Sequence, residues 1–263
     1  MYSNLVSIRK VAAVVLGMAL MTVTSFAQSS KATAAINTAV GCTVTSTTTI
    51  GDTLPVSCHD LFYGTAVDVT ADNFATIMSS TIKVSNSQSL FVSPSLVTGL
   101  YTQTKTRTSP GTTSTAVAEG GVFLRAIVTN LSTGAVLTGY PVAACKPGVL
   151  GCQLVGGADY GVTLDTRIQS LTQSLSDCVV TVGTTTGSCT FDLTTDLLLK
   201  TTSAHTFNFI FPSIGVGNYK VDIQAAVNSD ATVSGLGTAV GGAAYGLGSV
   251  TIESVRLVHD FAF

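Results

Sequence analysis

The stretch Gly217-Asn218-Tyr219-Lys220-Val221-Asp222-Ile223-Gln224-Ala225-Ala226-Val227-Asn228 decides the fold. Tyr219, Val221, Ile223, Ala225 and Val227 share one parity, and Lys220, Asp222, Gln224 and Asn228 share the other. Successive side chains of a strand point to opposite faces, so this alternation describes a strand with one buried and one wetted face. A wet face argues for an antiparallel sheet, because parallel sheets are covered on both sides.

The same period recurs outward from this stretch, at Ile82–Val84, Leu90–Tyr101, Gly121–Val128, Ala135–Tyr140, Thr190–Leu193, Ala204–Phe211 and Ser249–Leu257. Thr and Val fill these runs, and Gly, Pro, Asn and Ser punctuate them, as strands and turns require. Two short stretches, Asn73–Ser79 and Thr166–Ser176, are the helical candidates, and neither carries a full amphipathic stripe. Thr102–Thr115 reads as a long exposed loop, and the Gly/Ala-rich Ser229–Gly248 as the connection between the last two strands. The expected fold is all-β, an antiparallel β-sandwich of jelly-roll type, stabilised by disulfides, with about eight to ten strands.

Composition narrows the function. The chain has 263 residues, 46% hydrophobic and only 10% charged, with 41 Thr, 27 Ser and no Trp. Charged residues make up about a quarter of an ordinary soluble domain. So little charge excludes a disordered acidic or basic tail. It also excludes a nucleic-acid binder, which needs a basic patch against phosphates. Ser and Thr then serve as the uncharged polar groups of outward strand faces.

Residues 1–27 read as a signal peptide. Arg9 and Lys10 close a cationic segment, Val11–Val23 is apolar, and Ser25 and Ala27 place small residues before a cleavage point at Gln28. The apolar run is shorter than the roughly 20 residues that span a bilayer, and no later run reaches 18, so no transmembrane helix is expected. Cleavage removes Arg9 and Lys10 and moves the formal charge from −2 to −4. The expected layout is the leader at 1–27, an N-terminal arm or edge strand at 28–60 with Cys42 and Cys58, and the sandwich at 61–263. The expected destination is secreted, extracellular or cell-surface, with the periplasm as the other choice.

Six cysteines in an exported chain read as disulfides, with 15 connectivities open. The separations of 16, 7 and 11 residues favour the neighbouring couples Cys42 and Cys58, Cys145 and Cys152, and Cys178 and Cys189. Zinc would need a tighter ligand pattern; no C-x-x-C occurs, and His59 is the one histidine nearby, so no metal is expected.

Catalysis has little to work with. The histidines are His59, His205 and His259, Glu occurs only as Glu119 and Glu253, and no nucleophile-elbow, zincin or phosphate-loop motif is present. No catalytic residue, cofactor or enzymatic activity is expected. Ser57-Cys58-His59-Asp60 brings reactive types together, but neighbours in a strand face opposite ways, so it reads as a polar turn beside a disulfide. His205, Phe207, Phe209 and Phe211 form a stripe at spacing two, read as a core ladder and not as a sugar platform. Asp68, Asp72 and Asn73, and the sparser Asp159 and Asp165, read as turn residues and not as a calcium site. Asn130-Leu131-Ser132 matches a glycosylation sequon in a hairpin turn. Val250 and Ile252 share one parity but Val255, Leu257, Phe261 and Phe263 the other, which predicts a bulge near Glu253-Ser254.

Leu197–Phe211 with the Gly217–Asn228 and Gly248–His259 strands resembles the jelly-roll and related β-sandwich modules of uncharacterised secreted bacterial proteins. The resemblance implies a fold and brings no catalytic residues. The expected function is that of a secreted, non-enzymatic structural or interaction protein: a cell-surface, matrix or filament subunit, or an adhesin. It would associate through strands with itself or a cell-surface partner, using Ser29–Val40 and Val255–Phe263. One alternative is a carbohydrate-binding module whose glycan would stack on exposed Tyr101, Tyr140, Tyr160 or Tyr245. The other is an outer-membrane β-barrel, suggested by the terminal Phe263 and opposed by six cysteines and the lack of Trp.

Overall fold

A computed structural model describes residues 32–51, 57–62, 66–70, 73–137, 139–140, 161–177, 179–182, 185–188 and 191–256. The proposed leader, Asp72, Cys145, Cys152, Asp159, Tyr160, Cys178, Cys189, His259 and the stretch 257–263 lie outside these residues. In chain order the elements are β1 (Ala32–Asn37), β2 (Val40–Thr48), the one-turn helix α1 (Cys58–Phe62), β3 (Ala66–Asp68), β4 (Ala75–Val84) and β5 (Gln88–Thr108). They continue with β6 (Thr112–Asn130), β7 (Val136–Leu137), β8 (Val162–Leu175), β9 (Val179–Val182) and β10 (Thr185–Ser188). The last four are β11 (Leu193–Thr206), β12 (Phe209–Ile214), β13 (Gly217–Ser234) and β14 (Leu236–Val255).

The expected all-β sandwich is present, held together by two antiparallel sheets. In the first, β5 and β14 run side by side; β14 also pairs β1 and β2, β3 joins β2 in parallel, and the other edge of β5 carries β11 and then β12. In the second, β13 lies between β4 and β6, and β6 is extended by β8 and β7. β9 and β10 form a hairpin of their own. Among the described residues the strands form two separate main sheets and do not close into one ring.

Four strands are far longer than the usual five or six residues: β5 has 21, β6 19, β13 18 and β14 20. Their length overturns two sequence expectations. The proposed Thr102–Thr115 loop is strand up to Thr108 and again from Thr112. The proposed Ser229–Gly248 connection is strand on both sides of Gly235, whose φ of 81° turns the chain where an L side chain would be strained. Both helical candidates are also strands, within β4 and β8, because cross-strand pairing with β13 and β6 outweighs weak local propensity. The predicted bulge at Glu253-Ser254 is absent, and β14 instead shifts register between Tyr245 and Gly248.

The interior has two characters. One end is apolar: Ile82, Leu90, Leu96, Leu124, Phe211 and Ile223 are fully buried between the sheets. There the Gly217–Asn228 alternation holds as far as Ala225, with Tyr219, Val221, Ile223, Ala225 and Val227 inside and Lys220, Asp222 and Gln224 more exposed, while Ala226 and Asn228 of the other parity are buried as well. Toward the other end the apolar residues shrink to Ala116, Ala118, Ala231 and Ala239. The sheets approach closely here; a Cβ at Gly241 would collide with the carbonyls of Glu119 and Asp230. Thr45 Oγ1 donates to Ser229 O at 3.1 Å and Thr47 Oγ1 to Ala231 O at 2.7 Å, so β2 hydroxyls tie the first sheet to β13.

Candidate functional site

At the small-residue end, β5 alternates Thr102, Thr104, Thr106 and Thr108 with Gln103, Lys105 and Arg107. The four threonines are completely buried. Their hydroxyls need partners there, since an unpaired buried polar group is costly. β8 supplies them through Gln169 and Gln173. Thr102 Oγ1 donates to Gln169 Oε1 at 2.7 Å, and Gln169 Nε2 donates to Thr104 Oγ1 and to Leu197 O, each at 2.7 Å. Thr106 Oγ1 donates to Gln173 Oε1 at 3.0 Å, and Gln173 Nε2 reaches Thr195 Oγ1 at 3.1 Å. A layer of hydroxyls and amides thus does here what leucines do at the other end.

β11 runs alongside β5 at the margin of this layer. Leu193, Leu197, Leu198 and Leu199 are 41–52% exposed. The strand ends the first sheet, so among the described residues no strand pairs its outer edge. Its backbone polarity follows from its continuation. Phe207 N donates to Pro94 O on β5 at 3.1 Å, whereas Ile210 exchanges bonds with Tyr140 on the outer side, at 2.7 and 2.8 Å. The pairing to β5 keeps one register from Leu193 to Phe211. Odd residues therefore turn their N–H and C=O toward β5, and Thr194, Asp196, Leu198, Lys200 and Thr202 turn theirs outward.

Ser203, His205 and Asp165 meet beside this strand and invite a catalytic reading. Ser203 Oγ is 2.7 Å from His205 Nε2, and Asp165 Oδ2 is 3.3 Å from the same nitrogen. A Ser-His-Asp relay needs hydroxyl and carboxylate on opposite ring nitrogens, so this cluster cannot pass a proton through the ring. Asp165 also accepts from Thr98 Oγ1 at 2.6 Å, which makes it the end of the polar layer. Phe209 and Phe211 are buried, at 4% and 0% exposure, while His205 and Phe207 sit half-buried at the rim.

The other sequence candidates fall apart from this edge. Cys42 and Cys58 are bonded, with Cα atoms 6.0 Å apart, and anchor α1 to β2. Asp68 lies near that pair, but the sulfur atoms are committed to each other. Ser57-Cys58-His59-Asp60 enters the one-turn helix α1. Asn130 Oδ1 accepts from the Ser132 and Thr133 amides at 2.9 and 3.2 Å, shaping the sequon's hairpin turn. Ala32–Asn37 of the supposed arm pairs with β14 of its own sheet, and Val255 ends β14 against Ser89.

Tyr101 and Tyr245, expected as exposed ligand aromatics, are 6% and 5% exposed, because the apolar rings find cover against Val240 and the main core. Burial raises the pKa of both hydroxyls, and the charge of Asp196 adds to the rise at Tyr101. Tyr140 is half-buried and engaged through its backbone. A cavity of about 200 Å³ beside α1, lined by Val40, Phe62, Val97 and Leu247, is smaller than the roughly 300 Å³ at which ligand pockets begin.

No family model and no curated protein matches the chain. Among solved structures it is similar to that of infectious bursal disease virus Gx strain, at 13% identity and a TM-score of 0.25 over 87% of this chain and 43% of that one. It is also similar to that of the Gt strain, at 15% identity and a TM-score of 0.11 over 88% and 43%. The chain thus spans less than half of these solved chains, and at such TM-scores the likeness carries no weight for fold or function.

Proposed function

We propose that this chain is a secreted, non-enzymatic structural or interaction subunit that works by adding a strand to its first sheet, as a cell-surface, matrix or filament component or an adhesin. One observation carries the reading: the 14-residue β11 ends the first sheet, so that among the described residues no strand lies along its outer side, and four of its leucines are exposed. An open edge with exposed leucines is a template for another strand. Of the donor segments expected from sequence, Ala32–Asn37 is already paired with β14 in the chain's own sheet. The disulfide and the low charge suit an exported surface protein.

Leu198→Pro tests this. Proline removes the outward N–H of Leu198 without touching the ladder to β5, a position that edge strands tolerate. Sedimentation velocity and binding to the producing cell's surface should show association for wild type and its loss for Leu198→Pro, with circular dichroism unchanged. A folded Leu198→Pro protein that associates as wild type does, or a wild type that never associates, overturns the proposal.

A further inference from the structure

We infer that the strand received by β11 is β11 of a second copy, antiparallel about a two-fold axis through Leu198. This rests on the edge-association reading and names its partner. The sequence Thr194-Thr195-Asp196-Leu197-Leu198-Leu199-Lys200-Thr201-Thr202 reads the same from either end, except that Asp196 and Lys200 exchange places. Antiparallel pairing centred on Leu198 sets Leu198 against the partner's Leu198 and Leu197 against the partner's Leu199. Asp196 then faces the partner's Lys200, and Thr194 and Thr195 face the partner's Thr202 and the partner's Thr201.

The backbone agrees with this register. Leu198, Asp196 and Lys200 turn their N–H and C=O outward, so the central pair and both charged pairs become hydrogen-bonded pairs. The bond from Gln169 to Leu197 O lies on the inner side and leaves the outer edge open. Leu197 and Leu199, 41% and 44% exposed in the single chain, meet across the axis at the closer, non-hydrogen-bonded positions. Asp196 and Lys200 lie on the face away from β8 and are exposed. Sliding the pairing by two residues would set Asp196, which accepts from Gln103 Nε2 of its own chain, against the partner's Leu198 or the partner's Thr202, and Lys200 against the partner's Thr194 or the partner's Leu198, so that neither charge faces its opposite across the axis. The pattern therefore specifies one register, which a bare apolar edge would not.

The test is a charge-swap cycle measured by sedimentation velocity over a concentration series. Asp196→Lys and Lys200→Asp should each weaken self-association about tenfold, because either change turns both opposed pairs into like-charge pairs. The double variant should restore wild-type affinity. Under mild oxidation Leu198→Cys should give a covalent dimer across the axis, while Thr202→Cys, which lies far from its own copy, should not. A double variant as weak as the single ones, or no covalent dimer for Leu198→Cys, overturns the two-fold pairing. If those results come with loss of association in Leu198→Pro, the edge takes a different strand and the broader reading stands. If Leu198→Pro associates normally, both fall.

Discussion

β11 and β12 follow one another along the same edge of β5, in one continuous register, yet they have opposite fates. β12 buries Phe209, Phe211 and Ile214 at 4%, 0% and 4% exposure, and Tyr140 caps its outer edge through two backbone bonds. β11 leaves its leucines half in water and its outer edge unpaired among the described residues. The difference lies beneath them. Next to β12 the interior is apolar and rewards large side chains; next to β11 it is a layer of threonines and glutamines whose hydroxyls and amides bond one another. The exposure of Leu193, Leu197 and Leu199, which share the face of Thr102–Thr108, follows from this filling, whereas Leu198 lies on the outer face opposite Gln103.

The comparison can be broken most forcefully in the apolar half. Phe211→Ala should cost about 3–5 kcal/mol in urea unfolding, as loss of a fully buried ring does, and leave association per folded molecule unchanged. In the polar half, Gln169→Ala strands the Thr102 hydroxyl and removes one donor each from Leu197 O and Thr104 Oγ1, so a loss of about 1–3 kcal/mol is expected. The cost of Thr104→Val should be smaller in the Gln169→Ala background than alone, because the two share one network. A fully additive result would mean that the layer is not cooperative.

On β11 itself the effect on stability should almost vanish. Leu198→Lys, at a position 52% exposed, should shift unfolding by no more than about 0.5 kcal/mol while reducing association. The smallest effect concerns the strand's lower end. Asp192 is held below the usual carboxylate range, first by the Ser109 hydroxyl at 2.6 Å and then by Arg107. Its contribution to stability is present above the unfolded-state pKa and fades as pH falls through the lower folded value. Ser109→Ala should raise the Asp192 pKa in an NMR titration; no movement would show that the hydroxyl does not hold it.

Much of the architecture was legible in the sequence, and the failures share a cause. Alternation of large apolar and polar residues marked the apolar half, from Tyr219 to Val227. It missed the polar half, because Thr102–Thr108 alternates threonine with Gln, Lys and Arg, and both parities look hydrophilic. The buried parity is recognisable only once Gln169 and Gln173, four residues apart on β8, are seen to answer it. Ser229–Gly248 misled for a related reason: glycine and alanine there mark a close approach of two sheets and not a flexible connection. The Cys42–Cys58 couple followed from spacing. The association edge did not, since nothing local says that Leu197-Leu198-Leu199 lies at the end of a sheet; its near-palindrome was visible but had no meaning until the edge was known.

The most direct test of strand association at β11 is amide hydrogen exchange, resolved by residue, at low and high protein concentration. The outward amides of Thr194, Asp196, Leu198, Lys200 and Thr202 should exchange quickly when dilute and become protected as concentration rises, while the inward amides of Thr195, Leu197, Leu199 and Thr201 stay protected throughout. Outward amides that exchange at the same fast rate at every concentration would contradict the account.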